Sequence, residues 1–267
     1  MTLQYRTALI TGASSGIGRE MALWWARKGT TVYAAARRTS MLETLAKEGE
    51  GRIVPVALDV SKETETVARI QQLDDECGGL ELIIANAGRG DPTPAHLATW
   101  PLVEQVLRVN VMGTAATLTA VLPRMVKRNK GHLVAVSSVA GYCGLGAYSC
   151  YSASKSFVSV FLESLQVDLH GTGVKVTCIE PGFVKSEMLA KIEGHAPTPF
   201  AAKTDRAADK FCRAIARGSR RIAWPYIHWV SAVAIDLPPR AIFEPLAKRA
   251  SMPQVALAER ALKETNP

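Results

Sequence analysis

A glycine-rich turn between a short apolar run and an amphipathic stretch constrains the fold of this chain most strongly. Residues 7–11 read Thr-Ala-Leu-Ile-Thr, a composition typical of a strand buried in a parallel sheet. Gly12, Gly16 and Gly18 follow, and the apolar spacing over residues 17–28 predicts a helix that stops at Gly29. Free N–H groups at such a helix start bind anions, and glycine lets a phosphate approach the backbone. The pattern predicts a phosphate-binding turn; an ordinary strand-to-helix connection is the alternative.

The rest of the chain alternates between strand and helix patterns. Such alternation predicts an α/β fold with a doubly wound parallel sheet that carries helices on both faces, a Rossmann-like architecture. The length of 267 residues suits a single domain, and no repeat, low-complexity tract or linker interrupts it. The predicted strands span residues 6–11, 31–36, 52–58, 80–85, 132–138 and 174–179, with a last short one near 220–224.

Two arginines after the second predicted strand indicate which dinucleotide the turn would bind. An NAD site carries a carboxylate about 20 residues past the glycines, where it binds the ribose 2′-hydroxyl. This chain has Ala36 there, followed by Arg37 and Arg38, and its next carboxylate is Glu43. Because a guanidinium matches a phosphate bidentately, the pair predicts NADP(H), with Arg37 as the principal contact. A solvated arginine pair at the start of the next helix is the alternative.

A hydroxyl, a phenol and an ammonium provide the candidate chemistry. Tyr151 and Lys155 are four residues apart and share one face of a predicted helix, whereas Ser138 ends a predicted strand. A free tyrosine has a pKa of about 10, and a nearby ammonium lowers it. The arrangement predicts Tyr151 as a general acid for a carbonyl or a general base for an alcohol, with Ser138 bonded to the reacting oxygen. A lone Tyr-x-x-x-Lys would instead indicate an exposed helical pair.

Taken together, the motifs resemble those of the short-chain dehydrogenase/reductase family in its classical form. The resemblance covers about residues 5–190 and keeps the order of the family's motifs. Besides Thr11 and the glycine turn, it rests on Asp59-Val60, Asn86-Ala87-Gly88, Asn110, Ser138, Tyr151-x-Ala153-Ser154-Lys155 and Pro181-Gly182.

The resemblance implies a role for each motif. Asn110 would hold a water that links Lys155 to solvent in a proton relay, and Lys155 would also bind the nicotinamide ribose. The segment from Pro181 to Ser186 would lie along the nicotinamide, where the family often has threonine in place of Ser186. The implied catalytic residues are Asn110, Ser138, Tyr151 and Lys155. The expected cofactor-binding residues are Gly12, Ser14, Ser15, Gly16, Ile17, Gly18, Arg37, Arg38, Asp59, Val60, Asn86, Ala87, Gly88, Tyr151, Lys155, Pro181, Gly182, Val184 and Ser186.

Composition narrows the class of protein. The net charge is +8, but the basic residues are scattered and form no nucleic-acid-binding motif, so we expect no nucleic-acid partner. Five cysteines without a Cys-x-x-Cys, and no signal peptide, predict a cytoplasmic protein. The histidines lie far apart, and no metal is expected.

The last third of the chain is less specific. We expect a cofactor-binding and catalytic core over about 5–185, a substrate lid over about 186–203, and a family-variable extension over about 222–267. Met188, Leu189 and Phe200 would offer the lid an apolar wall. The aromatic-rich stretch 222–237 is too short to span a bilayer. Three roles stay open for it: packing near the pocket, where Trp229 would control access for lipophilic substrates, a subunit contact, or peripheral contact with a membrane.

These observations converge on one expected activity. The chain would be an NADP(H)-dependent oxidoreductase that interconverts a ketone or aldehyde and its alcohol by hydride transfer. The composition of the lid favours an apolar substrate. A homodimer or homotetramer would form through the long helices near 100–128 and 152–171. Two alternatives stay open: a non-catalytic dinucleotide sensor, and an epimerase or dehydratase on the same fold.

Overall fold

Seven parallel strands form the centre of the molecule. The computed structural model describes residues 4–189 and 200–236, with side chains up to residue 233, so part of the expected lid and most of the extension lie outside the described residues. The strands are β1 (Thr7–Thr11), β2 (Thr31–Ala36), β3 (Ile53–Ala57), β4 (Leu82–Ala85), β5 (Gly131–Val136), β6 (Val174–Pro181) and β7 (Arg221–Trp224).

Helices connect successive strands. They are α1 (Gly16–Arg27), α2 (Thr39–Glu48), α3 (Glu63–Glu76), α4 (Trp100–Leu107), α5 (Thr114–Thr119), α6 (Leu122–Arg128), α7 (Ser149–Asp168), α8 (Thr204–Ala216) and α9 (Tyr226–Asp236). A π-helical segment (Arg108–Gly113) joins α4 to α5, and a 3₁₀ turn (Val139–Gly141) follows β5.

The sheet order places a ligand crevice in its middle. The strands run β3-β2-β1-β4-β5-β6-β7, so the direction of winding reverses between β1 and β4. In sheets of this kind, ligands bind outside the carboxyl ends of the strands at that reversal. The crevice therefore lies among the connections that follow β1, β4 and β5.

Both faces of the sheet are covered, which confirms the predicted fold class. Ala8 and Ile10 of β1 belong to a buried cluster with α1 and α8 on one face. Leu9, between them, belongs to a second cluster with α3 and α7 on the other. This alternation explains the continuous apolar run of β1, because a strand buried on both sides has no polar face.

The predicted helix over 100–128 is interrupted, which corrects the sequence interpretation. The π-helical segment and a break at residues 120–121 divide it into three α-helices. Gly113 explains part of this geometry, because a Cβ there would lie 2.6 Å from the carbonyl oxygen of Val60. By length and composition the stretch Trp100–Arg128 could cross a membrane, but more than half of its most apolar window is buried inside the protein. The helices of this stretch pack against the rest of the α/β fold.

Candidate active site

The glycines of the first turn are required by close packing as well as by backbone conformation. Gly12 and Gly16 have φ values of +67° and +60°, which favour glycine. A Cβ on Gly12 would lie 2.7 Å from the Cα of Ala87, and one on Gly18 would lie 2.3 Å from the amide nitrogen of Asn86. The turn after β1 and the segment after β4 therefore fit directly against each other.

Asn86 and Thr11 hold these two segments together. The Asn86 amide donates hydrogen bonds to the carbonyl oxygens of Thr11 and Gly12, at 3.0 and 3.2 Å. The Thr11 hydroxyl accepts the backbone N–H groups of Asn86 and Ala87, at 3.1 and 3.2 Å. Sequence reasoning assigned Asn86 to the cofactor, whereas its side-chain amide here shapes the turn that would receive the cofactor.

Arg38 lies against the same turn. Its guanidinium donates to the hydroxyls of Ser14 and Ser15, with distances from 2.6 to 3.2 Å. It also forms a 2.8 Å ion pair with Glu187, whose carboxylate accepts from Ser15 as well. Arg37 is exposed, and the described part of the chain offers its side chain no hydrogen bond or ion pair. The geometry thus favours Arg38 over the expected Arg37 as the main arginine at the turn.

A cavity of about 520 Å³ opens beside these residues. That volume lies within the range of about 300–1,000 Å³ for small-molecule sites. It is bordered by the serines of the glycine turn, by the start of α1 and by the segment after β6. Its lining residues are Ser14, Ser15, Gly16, Arg19, Glu20, Met41, Lys185, Ser186, Glu187 and Thr204.

Ser138 lies two residues beyond the end of β5, in the crevice. Its backbone is extended and its hydroxyl accepts the N–H of Ala140 at 3.1 Å, so it caps the 3₁₀ turn that follows. The same hydroxyl lies close enough to the phenol of Tyr151 to act against the rise in the pKa of that phenol. The structure therefore brings together the hydroxyl and the phenol that the sequence predicted.

Tyr151 and Lys155 lie in the first two turns of α7, which begins at Ser149 rather than at the predicted residue 152. The Lys155 ammonium lies 5.8 Å from the centre of the Tyr151 ring. It donates a 2.8 Å hydrogen bond to the carbonyl oxygen of Val136, the last residue of β5. This bond fixes the ammonium at the end of a central strand.

Burial dominates the electrostatics of the pair, which differs from the sequence expectation. Burial raises the pKa of Tyr151, and the Ser138 hydrogen bond opposes that change. Burial lowers the pKa of Lys155 to about 8. The sequence argument considered the attraction between ammonium and phenolate and omitted the cost of withdrawing both groups from water.

Asn110 lies in the π-helical segment and is fully buried. Its Oδ1 accepts the N–H of Arg89 at 2.8 Å, and its Nδ2 donates to the Arg89 carbonyl and to the Ser154 hydroxyl, both at 2.9 Å. Ser154 in turn donates to the carbonyl of Tyr151 at 2.7 Å. Asn110 therefore links the segment after β4 to the first turn of α7. π-Helical turns occur frequently at functional sites.

Gly88 lies where these groups converge. A Cβ at that position would lie 3.4 Å from the Lys155 ammonium and 3.5 Å from Asn110 Oδ1. A larger residue would therefore intrude between the two side chains. Within Asn86-Ala87-Gly88, the first two residues therefore contact the glycine turn, and Gly88 leaves room for Lys155 of α7.

The other predicted cofactor residues border the crevice. Asp59 Oδ1 accepts the N–H and hydroxyl of Ser61, and Val60 is buried against the π-helical segment. Val184 is buried and pairs with Ala202. Ser186 accepts the N–H of Leu189 at 3.3 Å. Met188 of the expected lid lies near Gly90, beside the Tyr151 ring.

Sequence reasoning missed four polar residues around the site. Glu187 reaches the glycine turn, and Ser154 joins Asn110 to Tyr151. Tyr142 donates a 2.7 Å hydrogen bond to Glu180, a fully buried carboxylate at the end of β6. A glutamate directly before Pro181-Gly182 was the available signal for that bond, because a buried carboxylate needs partners.

No group of three or more His, Cys, Asp and Glu side chains within residues 4–189 and 200–233 could hold a metal ion. None of the five cysteines, all of which lie within the described residues, forms a disulfide, and Cys178 is buried in β6. Cys150 is buried in α7, whereas Cys143 is half-buried in the loop before it.

Comparison with known proteins agrees with this geometry. A family model described as short chain dehydrogenase matches residues 6–196. An uncharacterized oxidoreductase from Myxococcus xanthus is 48% identical over 250 residues, which cover 92% of this chain and 98% of that protein.

Two further proteins are related at lower identity. An NADP-dependent 3-hydroxy acid dehydrogenase from Salmonella typhi is 33% identical over 197 residues, covering 73% of this chain and 79% of its own length. The solved closed form of a serine dehydrogenase complexed with NADP⁺ is similar with a TM-score of 0.72 and 31% identity, over 77% of this chain and 87% of that one.

Proposed function

The chain belongs to the short chain dehydrogenase family of oxidoreductases, and from this premise we propose that it interconverts a carbonyl compound and its alcohol with NADP(H). The observation that carries the proposal is the convergence of Ser138, Tyr151 and Lys155 at the crevice beside the glycine turn. This crevice lies where the sheet reverses its winding, the position at which such folds bind dinucleotides.

NADP(H) suits the donors around the turn. The fold accepts either dinucleotide, and the choice depends on whether an acid or an arginine stands past the glycines. Arg38 offers a guanidinium on the rim of the cavity, and Arg37 adds a second positive charge next to it. The positive φ values of Gly12 and Gly16 open the backbone to a pyrophosphate. Two of the related proteins are described with NADP, which supports the same choice.

The chain's own residues handle the proton. A bound NADPH would supply the hydride for the carbonyl carbon. Tyr151, which its raised pKa keeps protonated at neutral pH, would donate its proton to the carbonyl oxygen as that oxygen gains charge. Ser138 would donate a hydrogen bond to the same oxygen and so stabilise the developing charge.

Lys155 and Asn110 would replace the proton. The Lys155 ammonium, anchored on Val136, carries a positive charge below about pH 8 and stabilises the phenolate that Tyr151 becomes. The buried contacts of Asn110 with Arg89 and Ser154 hold the π-helical segment beside Lys155, where a water relay to solvent would begin.

The substrate is best described as a small carbonyl compound of apolar character. Met188 lies beside the ring of Tyr151, so the described part of the lid offers an apolar side chain there, whereas Leu189 is buried. Phe200 is largely exposed at the other end of the lid, and the residues between them lie outside the described residues.

We also propose that the protein forms a homo-oligomer in the cytoplasm. Val160 and Val167 of α7 are 59% and 72% exposed, and Met112 beside α5 is 51% exposed. An apolar face of this kind on the long helices supports a subunit contact there.

Replacing Tyr151 with Phe tests the proposed function directly. Tyr151→Phe removes the transferable proton and keeps the ring, so turnover should fall at least about 100-fold, the low end for general acid catalysis. The measurement is the decay of NADPH absorbance with a panel of ketones and aldehydes, together with NADPH binding by fluorescence titration.

Tyr148→Phe is the matched control, because Tyr148 contacts Tyr151 edge-to-face, with ring centres 6.5 Å apart, and lies on the same segment. The Tyr148 variant should keep turnover within a few-fold of the unmodified protein, and both variants should bind NADPH as before. A Tyr151→Phe variant within tenfold of the unmodified protein would contradict the assignment.

A further inference from the structure

The helix α9, at the end of the described chain, contacts two sides of the candidate active site. The Trp229 indole donates a 2.9 Å hydrogen bond to the hydroxyl of Tyr142. On the same helix, the Nδ1 of His228 accepts the backbone N–H of Phe183 at 3.2 Å. Tyr142 directly follows the 3₁₀ turn that Ser138 caps, and Phe183 follows Pro181-Gly182.

The hydrogen bond from Trp229 to Tyr142 belongs to a partly buried series of hydrogen bonds that includes Glu180. The Tyr142 hydroxyl that accepts from Trp229 donates in turn to Oε2 of Glu180, at 2.7 Å. The other oxygen of Glu180 accepts from Ser159 at 3.2 Å and lies 3.5 Å from the Arg221 guanidinium. Because Glu180 is fully buried, the loss of any of its hydrogen-bond partners would destabilise the fold. This series of hydrogen bonds therefore fixes the position of the Tyr142 side chain.

Tyr142 is rigidly connected to the reacting groups. Ser138 and Gly141 close the 3₁₀ turn through a 3.0 Å hydrogen bond from the Gly141 N–H to the Ser138 carbonyl. A Cβ on Gly141 would lie 2.9 Å from the backbone carbon of Lys155, so the turn rests directly on α7. Movement of Tyr142 would therefore shift Ser138 relative to Tyr151 and Lys155.

His228 acts on the opposite side of the crevice. Its ring occupies the space where a side chain at position 182 would stand, because a Cβ on Gly182 would lie 2.3 Å from the His228 Nδ1. The ring also packs edge-to-face on Phe183, with centres 5.0 Å apart. This packing fixes the backbone that follows β6, the segment expected to lie along the nicotinamide.

We propose that Trp229 is a positioning residue, through which α9 sets the distance between Ser138 and the reacting pair. This inference rests on the proposed function for its catalytic consequence, but the structural coupling is independent of it. The sequence left open that Trp229 controls access of lipophilic substrates, and that expectation stays a prediction; the structure adds that the indole is half-buried and bonded to Tyr142.

The test uses three variants of the full chain. Trp229→Phe removes the indole donor and keeps a ring, Tyr142→Phe removes the shared hydroxyl, and the third variant combines both. Tyr226→Phe, on the same helix but 67% exposed, is the matched control. Hydrogen exchange of residues 138–142 and 7–18, NADPH affinity, and turnover on the best carbonyl compound of the panel are measured for each.

We expect exchange of residues 138–142 to accelerate several-fold in Trp229→Phe and Tyr142→Phe, while residues 7–18 and the NADPH affinity do not change. Turnover should fall about fivefold to tenfold, the effect of one lost hydrogen bond. The double variant should resemble Tyr142→Phe alone, since Tyr142→Phe already removes the acceptor of the Trp229 hydrogen bond. The Tyr226 control should match the unmodified protein.

Three results would overturn the proposal. Unchanged exchange of residues 138–142 in both single variants would exclude the coupling. Equally accelerated hydrogen exchange of residues 7–18 would show that Trp229 and Tyr142 stabilise the whole fold rather than residues 138–142. Additive effects in the double variant would make the two residues independent. If no carbonyl compound is reduced, the proposed function fails, but the exchange data still decide the coupling.

Discussion

Single residues differ sharply in what their side chains contact at this site. Arg37 and Arg38 are adjacent in sequence, yet only Arg38 reaches the serine hydroxyls of the glycine turn. Glu187 already pairs with Arg38 at 2.8 Å and so competes with any phosphate for the same guanidinium. The contribution of Arg38 to NADPH affinity should therefore be the free energy of its ion pair with the phosphate minus that of its ion pair with Glu187.

Arg38→Ala should weaken NADPH binding more than Arg37→Ala does. The reason is the position of Arg38 against Ser14 and Ser15, whereas Arg37 contributes only long-range attraction that salt screens. We expect the dissociation constant for NADPH to rise about tenfold for Arg38→Ala, the low end for one charge-assisted contact, because Glu187 competes with the phosphate. Isothermal titration of both variants with NADPH and NADH measures the effect.

Arg37→Ala is itself the control for that comparison, because it removes the same charge one position away. NADH binding should change little in either variant, since NADH has no 2′-phosphate. A larger loss for Arg37→Ala would restore the original sequence interpretation.

Residue types and spacing were sufficient to predict that the proposed reacting groups lie together, but not their environment. Ser138, Tyr151 and Lys155 lie together as expected because a strand end and a helix face fix their positions. The burial that raises the pKa of Tyr151 depends on side chains from distant elements, which no local pattern encodes. Glu187 was missed for the same reason, since its partner Arg38 lies 149 residues away.

At the level of elements, the connection between β4 and β5 contains the least regular geometry. A uniform apolar pattern over 100–128 predicts one helix, but tertiary contacts interrupt it at the π-helical segment. Asn110 is anchored there by Arg89 and Ser154, and Gly113 packs against Val60. Helix periodicity alone contains no signal for such an insertion, whereas the strand boundaries were predicted to within two residues because burial on both faces defines them.

Gly113→Ala should destabilise the protein through this contact. An added Cβ would lie 2.6 Å from the Val60 carbonyl and 3.0 Å from its side chain, so backbone must shift. Overpacking of this kind costs about 1–3 kcal/mol in the free energy of unfolding. Urea denaturation followed by circular dichroism measures the change.

Gly144→Ala is the matched control, because a Cβ there meets no atom within 4 Å. Alanine at position 144 should leave the urea midpoint unchanged or raise it slightly. Equal midpoints for the two variants would show that the π-helical segment tolerates displacement from Val60.

Across the whole molecule, the two edges of the sheet have different roles. The carboxyl ends of the strands form the crevice, whereas the amino ends carry a network of buried polar groups. There Glu81 accepts from Arg6 and Lys130, each at 2.8 Å. His132 bonds to Tyr5 and Thr177, and burial lowers the pKa of His132 to about 3.

The free energy of unfolding should fall in acid because of the polar groups at the amino ends of the strands. Burial alone would raise the pKa of Glu81, but hydrogen bonds from Lys130 and Arg6 outweigh it and lower the pKa to about 2. The lowered pKa stabilises the fold above pH 4.5, and that contribution is lost as the pH falls from 4.5 towards about 2. One pKa unit corresponds to about 1.4 kcal/mol, and since Arg6 and Lys130 are exposed we expect roughly 2 kcal/mol in total.

Glu81→Gln should lower the free energy of unfolding at pH 7 and flatten its dependence between pH 4.5 and 2. The decline between pH 6.5 and about 3 should remain, because it belongs to His132, whose protonation the fold resists. Glu43→Gln, at an exposed position of α2, is the control and should leave the curve unchanged. Parallel curves for Glu81→Gln and the unmodified protein would contradict this role.

Because α9 follows both the glycine turn and α7 in sequence, the order of synthesis has a consequence for the protein. The glycine turn leaves the ribosome before α9 does, and Trp229 is added 74 residues after Lys155. At about 5–20 residues per second, that interval lasts roughly 4–15 seconds. If α9 positions Ser138 as proposed, a nascent chain acquires its dinucleotide-binding half first and its chemistry only once α9 has been added. Premature termination before α9 would then leave fragments that bind the cofactor without consuming it.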